Sequence, residues 1–127
     1  NSIIELENYI LSNIKDREII YILIYSLIIN SNFNKAIKIS LYFLNKDLIN
    51  TTSDLSILKN FDIRKIKKIN PKNNYEIQSI FLFSIFLRKI LFYDSSKYFL
   101  KILINIDNQN FSYFFHLGKI YQNQKNF

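Results

Sequence analysis

No cysteine occurs in the 127 residues. This excludes disulfide frameworks, thiolate metal sites and cysteine nucleophiles. A single histidine, His116, rules out a histidine-rich metal centre and leaves one candidate for a histidine base. One glycine and one proline leave little from which to build phosphate-cradling loops, β-hairpin turns or collagen-like repeats. Valine and tryptophan are missing and alanine occurs once. No basic leader is followed by a small-residue cleavage site, so no signal peptide is visible, and an intracellular location, cytoplasmic or nuclear, is expected. The longest apolar run, Ile19 to Ile29, is interrupted only by Ser26. It falls short of the roughly 20 residues a membrane-spanning helix needs. Asp16, Arg17 and Glu18 precede it and Asn30, Ser31 and Asn32 follow it, which predicts a buried helix and no membrane span.

What is present is a globular composition, with 49% apolar and 21% charged residues. The length fits one domain over residues 1–127, large enough for a core. Isoleucine occurs 25 times, asparagine 17 times, and lysine 14 times against 3 arginines. Residues with AT-rich codons have displaced those with GC-rich codons, which points to an AT-rich genome. The net charge of +7 is therefore weaker evidence for a nucleic-acid partner than it would be elsewhere. Asn1 in place of an initiator methionine leads us to expect a fragment of a longer protein.

Apolar residues recur at helical spacing, and no segment alternates with the period of a strand. Ser2-Ile3-Ile4-Glu5 reads as a capping box opening a leading helix within residues 1–16. Asp16 is placed to cap a second helix running to about Asn30, and a third runs from about Asn34 to Lys46. A fourth spans about Leu55 to Ile69. Asn73 and Glu76 cap a fifth over about Tyr75 to Phe92. Asp94 is expected to cap a sixth, to about Ile106, and the seventh runs from Phe111 to about Asn123. The fold class is all-α, about seven helices arranged as antiparallel hairpins.

A period is visible in the second half. Phe114-x-x-Leu117-Gly118-x-x-Tyr121 follows Ile80-x-x-Phe83-Ser84-x-x-Leu87 by 34 residues, and Tyr93 and Phe127 share that spacing. Ser96 and Leu100 stand in the second helix of the unit. Ile20-x-x-Leu23-Ile24-x-x-Leu27, followed by Ala36, makes a weaker earlier copy. These residues resemble helix A and helix B of the tetratricopeptide repeat. The frame has a leading helix (1–16), a repeat-like hairpin (17–50), a basic inserted helix (51–76), a repeat (77–110) and a partial repeat (111–127). In this frame Gly118 stands at a close helix crossing, so Gly118→Leu is expected to overpack and cost about 1–3 kcal/mol. Ile24 and Ser40 depart from the pattern.

The resemblance implies hairpins stacked into a right-handed superhelix, a non-enzymatic scaffold for protein–protein interaction with no cofactor. Its partner would be a peptide or a subunit of a multiprotein complex, bound in a concave groove lined by helix A. The groove positions are Tyr21 and Tyr25, then Phe81 and Ile85, then Phe115, His116 and Lys119. Tyr21, Ile22, Tyr25, Phe81, Leu82 and Ile85 bear no charge, so the Lys, Arg and Asn clamp that some members place on helix A for a terminal carboxylate is not expected. An apolar groove suits a hydrophobic peptide, a partner's helix or self-association. The same residues equally read as core covered by the inserted helix. The terminal helix A cannot bury its apolar face alone, so a continuation or a partner is expected to cover it.

Arg64, Lys65, Lys67 and Lys68 lie in the one cluster of charge, opposed by Asp62 alone. On a helix Arg64, Lys67 and Lys68 share a face. They read as the solvated side of the inserted helix, or alternatively as a phosphate-contacting surface of a nucleic-acid-associated protein. His116 reads as groove-lining or surface histidine, not as a catalytic base. The carboxylates are scattered and form no catalytic pair, and no metal site is expected.

Overall fold

The computed structural model describes residues 16–48 and 71–125. Among them are five helices: α1 (Arg17–Ile29), α2 (Phe33–Leu44), α3 (Asn74–Lys89), α4 (Tyr93–Ile106) and α5 (Phe111–Lys125). The all-α class expected from the periodicity is what these residues adopt. The leading helix expected before residue 16 and the inserted helix expected between 55 and 69 lie outside the described residues. A count of seven therefore does not arise here.

Short polar side chains start three of the helices. Asp16 accepts the Glu18 N–H at 2.9 Å and so satisfies one of the unpaired donors at the start of α1. Asn73 Oδ1 accepts the Glu76 N–H at 3.0 Å, and Glu76 reaches back to the Lys72 N–H at 2.8 Å, a reciprocal cap that closes the start of α3. Asn110 Oδ1 accepts the Ser112 N–H at 3.0 Å at the start of α5. α4 lacks such a cap. It starts at Tyr93 after Phe92, with Asp94 inside its first turn, where the carboxylate sits 3.5 Å from Lys97 instead of capping.

α1–α2 and α3–α4 are hairpins with the same turn. Ser31 has φ 60° and Leu91 has φ 71°. In the first turn the Asn32 N–H donates to the Leu27 carbonyl at 2.8 Å and the Ser31 N–H to that of Ile28 at 3.0 Å. In the second, Phe92 donates to Leu87 at 2.8 Å and Leu91 to Arg88 at 3.0 Å. Both are Schellman closures, with a left-handed residue ending the first helix of the pair. This is why α3 stops at Lys89 rather than running to Phe92 as the apolar pattern suggests.

One core runs through the array. Ile20, Ile24, Ala36, Ile80, Phe83, Phe86, Leu87, Phe99 and Leu103 are fully buried. Each large side chain of this kind contributes about 1.5–3 kcal/mol relative to exposure. Phe83 joins three helices, its ring centroid 5.8 Å from both Tyr21 on α1 and Phe99 on α4. Ser84 and Ser96 are also fully buried, and Ser96 Oγ donates to the Ser84 carbonyl at 2.6 Å. Two small side chains at this crossing let α3 and α4 approach closely. Ile24 and Ala36 occupy the equivalent positions of the first hairpin, so its departure from the small-residue pattern is accommodated with both residues buried.

The direction of α1 departs from a uniform stack. Lys89, the last residue of α3, donates from Nζ to the carbonyls of Phe43 and Leu44 at 2.8 Å each, and to that of Lys46. Arg17, the first residue of α1, lines one small cleft with Leu44, Asp47, Lys89 and Ile90. The start of α1, the end of α2 and the end of α3 therefore meet. α2 runs with α3, its most extensive neighbour, and α1 runs against α3. Stacked copies of one hairpin would place α1 and α3 in the same direction. A short turn between α2 and α3 would enforce that stacking, and Leu44 and Asn74 are not joined by one.

Candidate functional site

α5 has two apolar faces. Tyr113 and Ile120 point inward and are buried, with Leu117 packed against the core. On the other side Phe111 is 77% exposed, Phe114 46%, Phe115 47% and Tyr121 44%. Gly118 lies among them, and a Cβ built on it meets nothing within 4 Å. The close crossing expected at Gly118 is therefore not formed within the described residues, and the overpacking expected of Gly118→Leu has no neighbour to act on. Spacings of three and four place Phe111, Phe114, Phe115, Gly118 and Tyr121 on one stripe.

The rim of this stripe is basic. Lys119 Nζ stands 5.1 Å from the Phe115 ring centroid, and Lys97 Nζ, from α4, stands 5.3 Å from that of Tyr121. From Asn108 to Phe127 the sequence carries no Asp or Glu. Both cations lie over aromatic faces at distances where the ring quadrupole attracts them.

The residues expected to line a helix A groove divide into two groups. Phe81 and Ile85 on α3 and Phe115, His116 and Lys119 on α5 come together. The Phe81 ring lies 5.2 Å from Tyr113 and 5.3 Å from His116, and His116 lies 5.4 Å from Phe115. Tyr21 does not join them. It is 1% exposed, its ring among Tyr25, Phe83 and Phe92, so it is core and cannot meet an outside partner. Tyr25 is half-buried and stacks on Tyr21 at 6.1 Å. The reason is the reversed direction of α1, which presents these tyrosines to α3 instead of to a shared groove. Arg64, Lys65, Lys67 and Lys68 lie outside the described residues.

Beside the stripe is an open cleft of about 610 Å³ between the end of α2, the second half of α3 and the middle of α5. Asn45, Arg88, Lys89, Lys119 and Asn123 supply its polar groups, and Leu44, Ile85 and Leu91 supply apolar wall. Arg88 was not singled out from sequence, nor were Phe111, Phe114 and Tyr121 as surface residues. The signal for the latter is in the repeat frame itself, which leaves the apolar face of the terminal helix uncovered. His116 stays below its ordinary pKa of 6.5, first because burial disfavours the imidazolium, then because Arg88 and Lys119 repel it. Burial also lowers the Arg88 pKa, with Tyr93 opposing. Burial lowers that of Lys89 as well, against the pull of Asp47.

Among the described residues no three His, Asp or Glu side chains gather as metal ligands, and no helix is long and apolar enough to cross a membrane. No protein-family model, curated protein or solved structure matches the chain.

Proposed function

We propose that the protein is a helical scaffold for protein–protein interaction, and that the outer face of α5 receives an apolar helix of a partner subunit. One comparison within the chain carries this reading. Ile80, Phe83, Ser84 and Leu87 on α3 are fully buried, with α4 and Phe99 packed over them. Their counterparts in α5 are Phe114, Leu117, Gly118 and Tyr121, of which only Leu117 packs against the core. A partner helix laid on α5 as α4 lies on α3 would cover Phe114 and Tyr121 and use the bare Gly118 as its close crossing. The burial of three or four aromatic rings supplies the driving force. The tetratricopeptide-like reading rests on the shared Schellman turns and the Ser84–Ser96 crossing, and applies from α3 onward, since α1 runs the other way. The role is binding rather than catalysis, and needs no cofactor.

Affinity purification of the full-length protein from its own cells, with and without nuclease, tests this. We expect a defined set of proteins that is indifferent to nuclease and lost from a Phe111→Ser, Phe114→Ser double variant. Both residues are exposed, so the variant should fold normally. Recovery that collapses on nuclease treatment would contradict the scaffold reading. It would shift the function to nucleic acid and the Arg64, Lys65, Lys67 and Lys68 segment.

A further inference from the structure

α5 packs chiefly on α4 and meets α3 more sparingly, and one of the side chains at that lesser contact titrates. Spacings of four and three put Phe81, Ile85 and Arg88 on the side of α3 that faces α5. Phe81 meets α5 twice, its ring edge-on to Tyr113 at 5.2 Å and to His116 at 5.3 Å. His116 is half-buried and also stands edge-on to Phe115 at 5.4 Å, so it joins α3 to the exposed aromatic stripe. Its Nδ1 is shielded from solvent and finds no hydrogen-bond partner among the described residues. A neutral imidazole can leave that nitrogen without a proton, whereas the imidazolium carries one on each nitrogen. A shielded N–H without an acceptor is costly, the more so when charged. Among the described residues the ionisable groups acting on the ring are Arg88 from α3 and Lys119 from α5 itself, and both repel a further positive charge. Tyr93, from α4, acts on Arg88.

We propose that His116 is a pH-sensitive latch: the neutral ring holds α5 against Phe81 of α3, and the imidazolium releases α5 from that contact. In the latched state the ring stays below its ordinary pKa of 6.5, first through burial and then through Arg88 and Lys119. In the released state, wet and away from Arg88, it regains the ordinary value. The latch is therefore complete above pH 6.5. The released fraction grows as the pH falls from there towards the latched pKa, by no more than about tenfold per pH unit, and is constant below it. α5 has 15 residues, and a helix of that length is marginal in water once its packing is lost. Release therefore opens its backbone hydrogen bonds and dismantles the aromatic stripe that Phe115 belongs to. Control of docking by this latch rests on the reading of the α5 face given above. The latch itself does not, and it is measured without a partner, so either can fail alone.

Hydrogen exchange of the full-length protein, free of partner and corrected for the intrinsic pH dependence of exchange, tests this near pH 7.5 and pH 5.5. Amides of residues 111–125 should lose protection at the lower pH, by up to about tenfold, while those of α3 keep theirs. His116→Phe keeps a ring against Phe81 and removes the proton, so the protection of α5 should then be equal at both pH values. Lys119→Gln is a second variant, at an exposed position that the fold tolerates. It removes one repulsion, so it should raise the His116 pKa, read by NMR on the sole histidine, and shrink the loss of protection. Undiminished protection of α5 at pH 5.5 in the natural protein would overturn the proposal, and so would an equal loss in the His116→Phe variant. A raised His116 pKa in Lys119→Gln with unaltered exchange would overturn it as well.

Discussion

Leu91 and Ser31 hold left-handed backbone, at φ 71° and 60°, where an L side chain crowds the following carbonyl. Sequence inspection finds such turns by their glycine, and here there is none, so the end of α3 was not legible even though its start at Asn73 was. Leu91 is half exposed, so little burial is lost by removing it. Leu91→Gly should stabilise the protein by about 0.5–1 kcal/mol, read as a raised urea midpoint at constant slope. No gain, or a loss, would mean that the turn is not under this strain. His116 yields a second prediction at this scale. Its folded pKa lies below 6.5, so the unfolded chain binds the proton more readily. Stability should be unaffected by this group above that value, fall as the pH drops through 6.5 towards the folded pKa, and level off below it. His116→Gln should remove that component and leave the contribution of the carboxylates, a difference that denaturation at pH 7.5 and pH 5 will resolve. Identical pH dependence in the two proteins would show that His116 is not held neutral.

The helices themselves were largely legible. Asp16 and Asn73 announce α1 and α3 by their capping chemistry, and Asp107 to Asn110 mark the break before α5. Asp94 misled, because the residue that ends the Schellman turn, Phe92, also opens α4 without any side-chain cap. What ties the elements to each other was harder to read. Lys89 looked like an ordinary lysine at the end of a helix. Its ammonium instead crosses to the end of α2 and donates to the Phe43 and Leu44 carbonyls, beside the Lys46 N–H that also reaches Phe43. Lys89→Met keeps the aliphatic stem and deletes the donors. It should cost about 2 kcal/mol, seen as a lower thermal midpoint. A neutral result would mean that water replaces the ammonium without loss.

At the scale of the molecule, the sequence conveyed antiparallel helical hairpins, but neither their shared turn nor their relative direction. That direction depends on the connection between α2 and α3, and apolar periodicity inside a hairpin carries no information about it. The consequence for function is concrete. Tyr21 became core, Tyr25 half-buried beside it, and the candidate surface moved to α5, whose outer aromatic stripe has the same spacing as the buried stripe of α3. Hydrogen–deuterium exchange of the protein, alone and in the complex recovered from its cells, tests this most directly. The account predicts that amides of residues 111–125 gain protection in the complex while those of α1 do not change. Protection confined to other elements, with α5 exchanging as it does in the isolated protein, would contradict it.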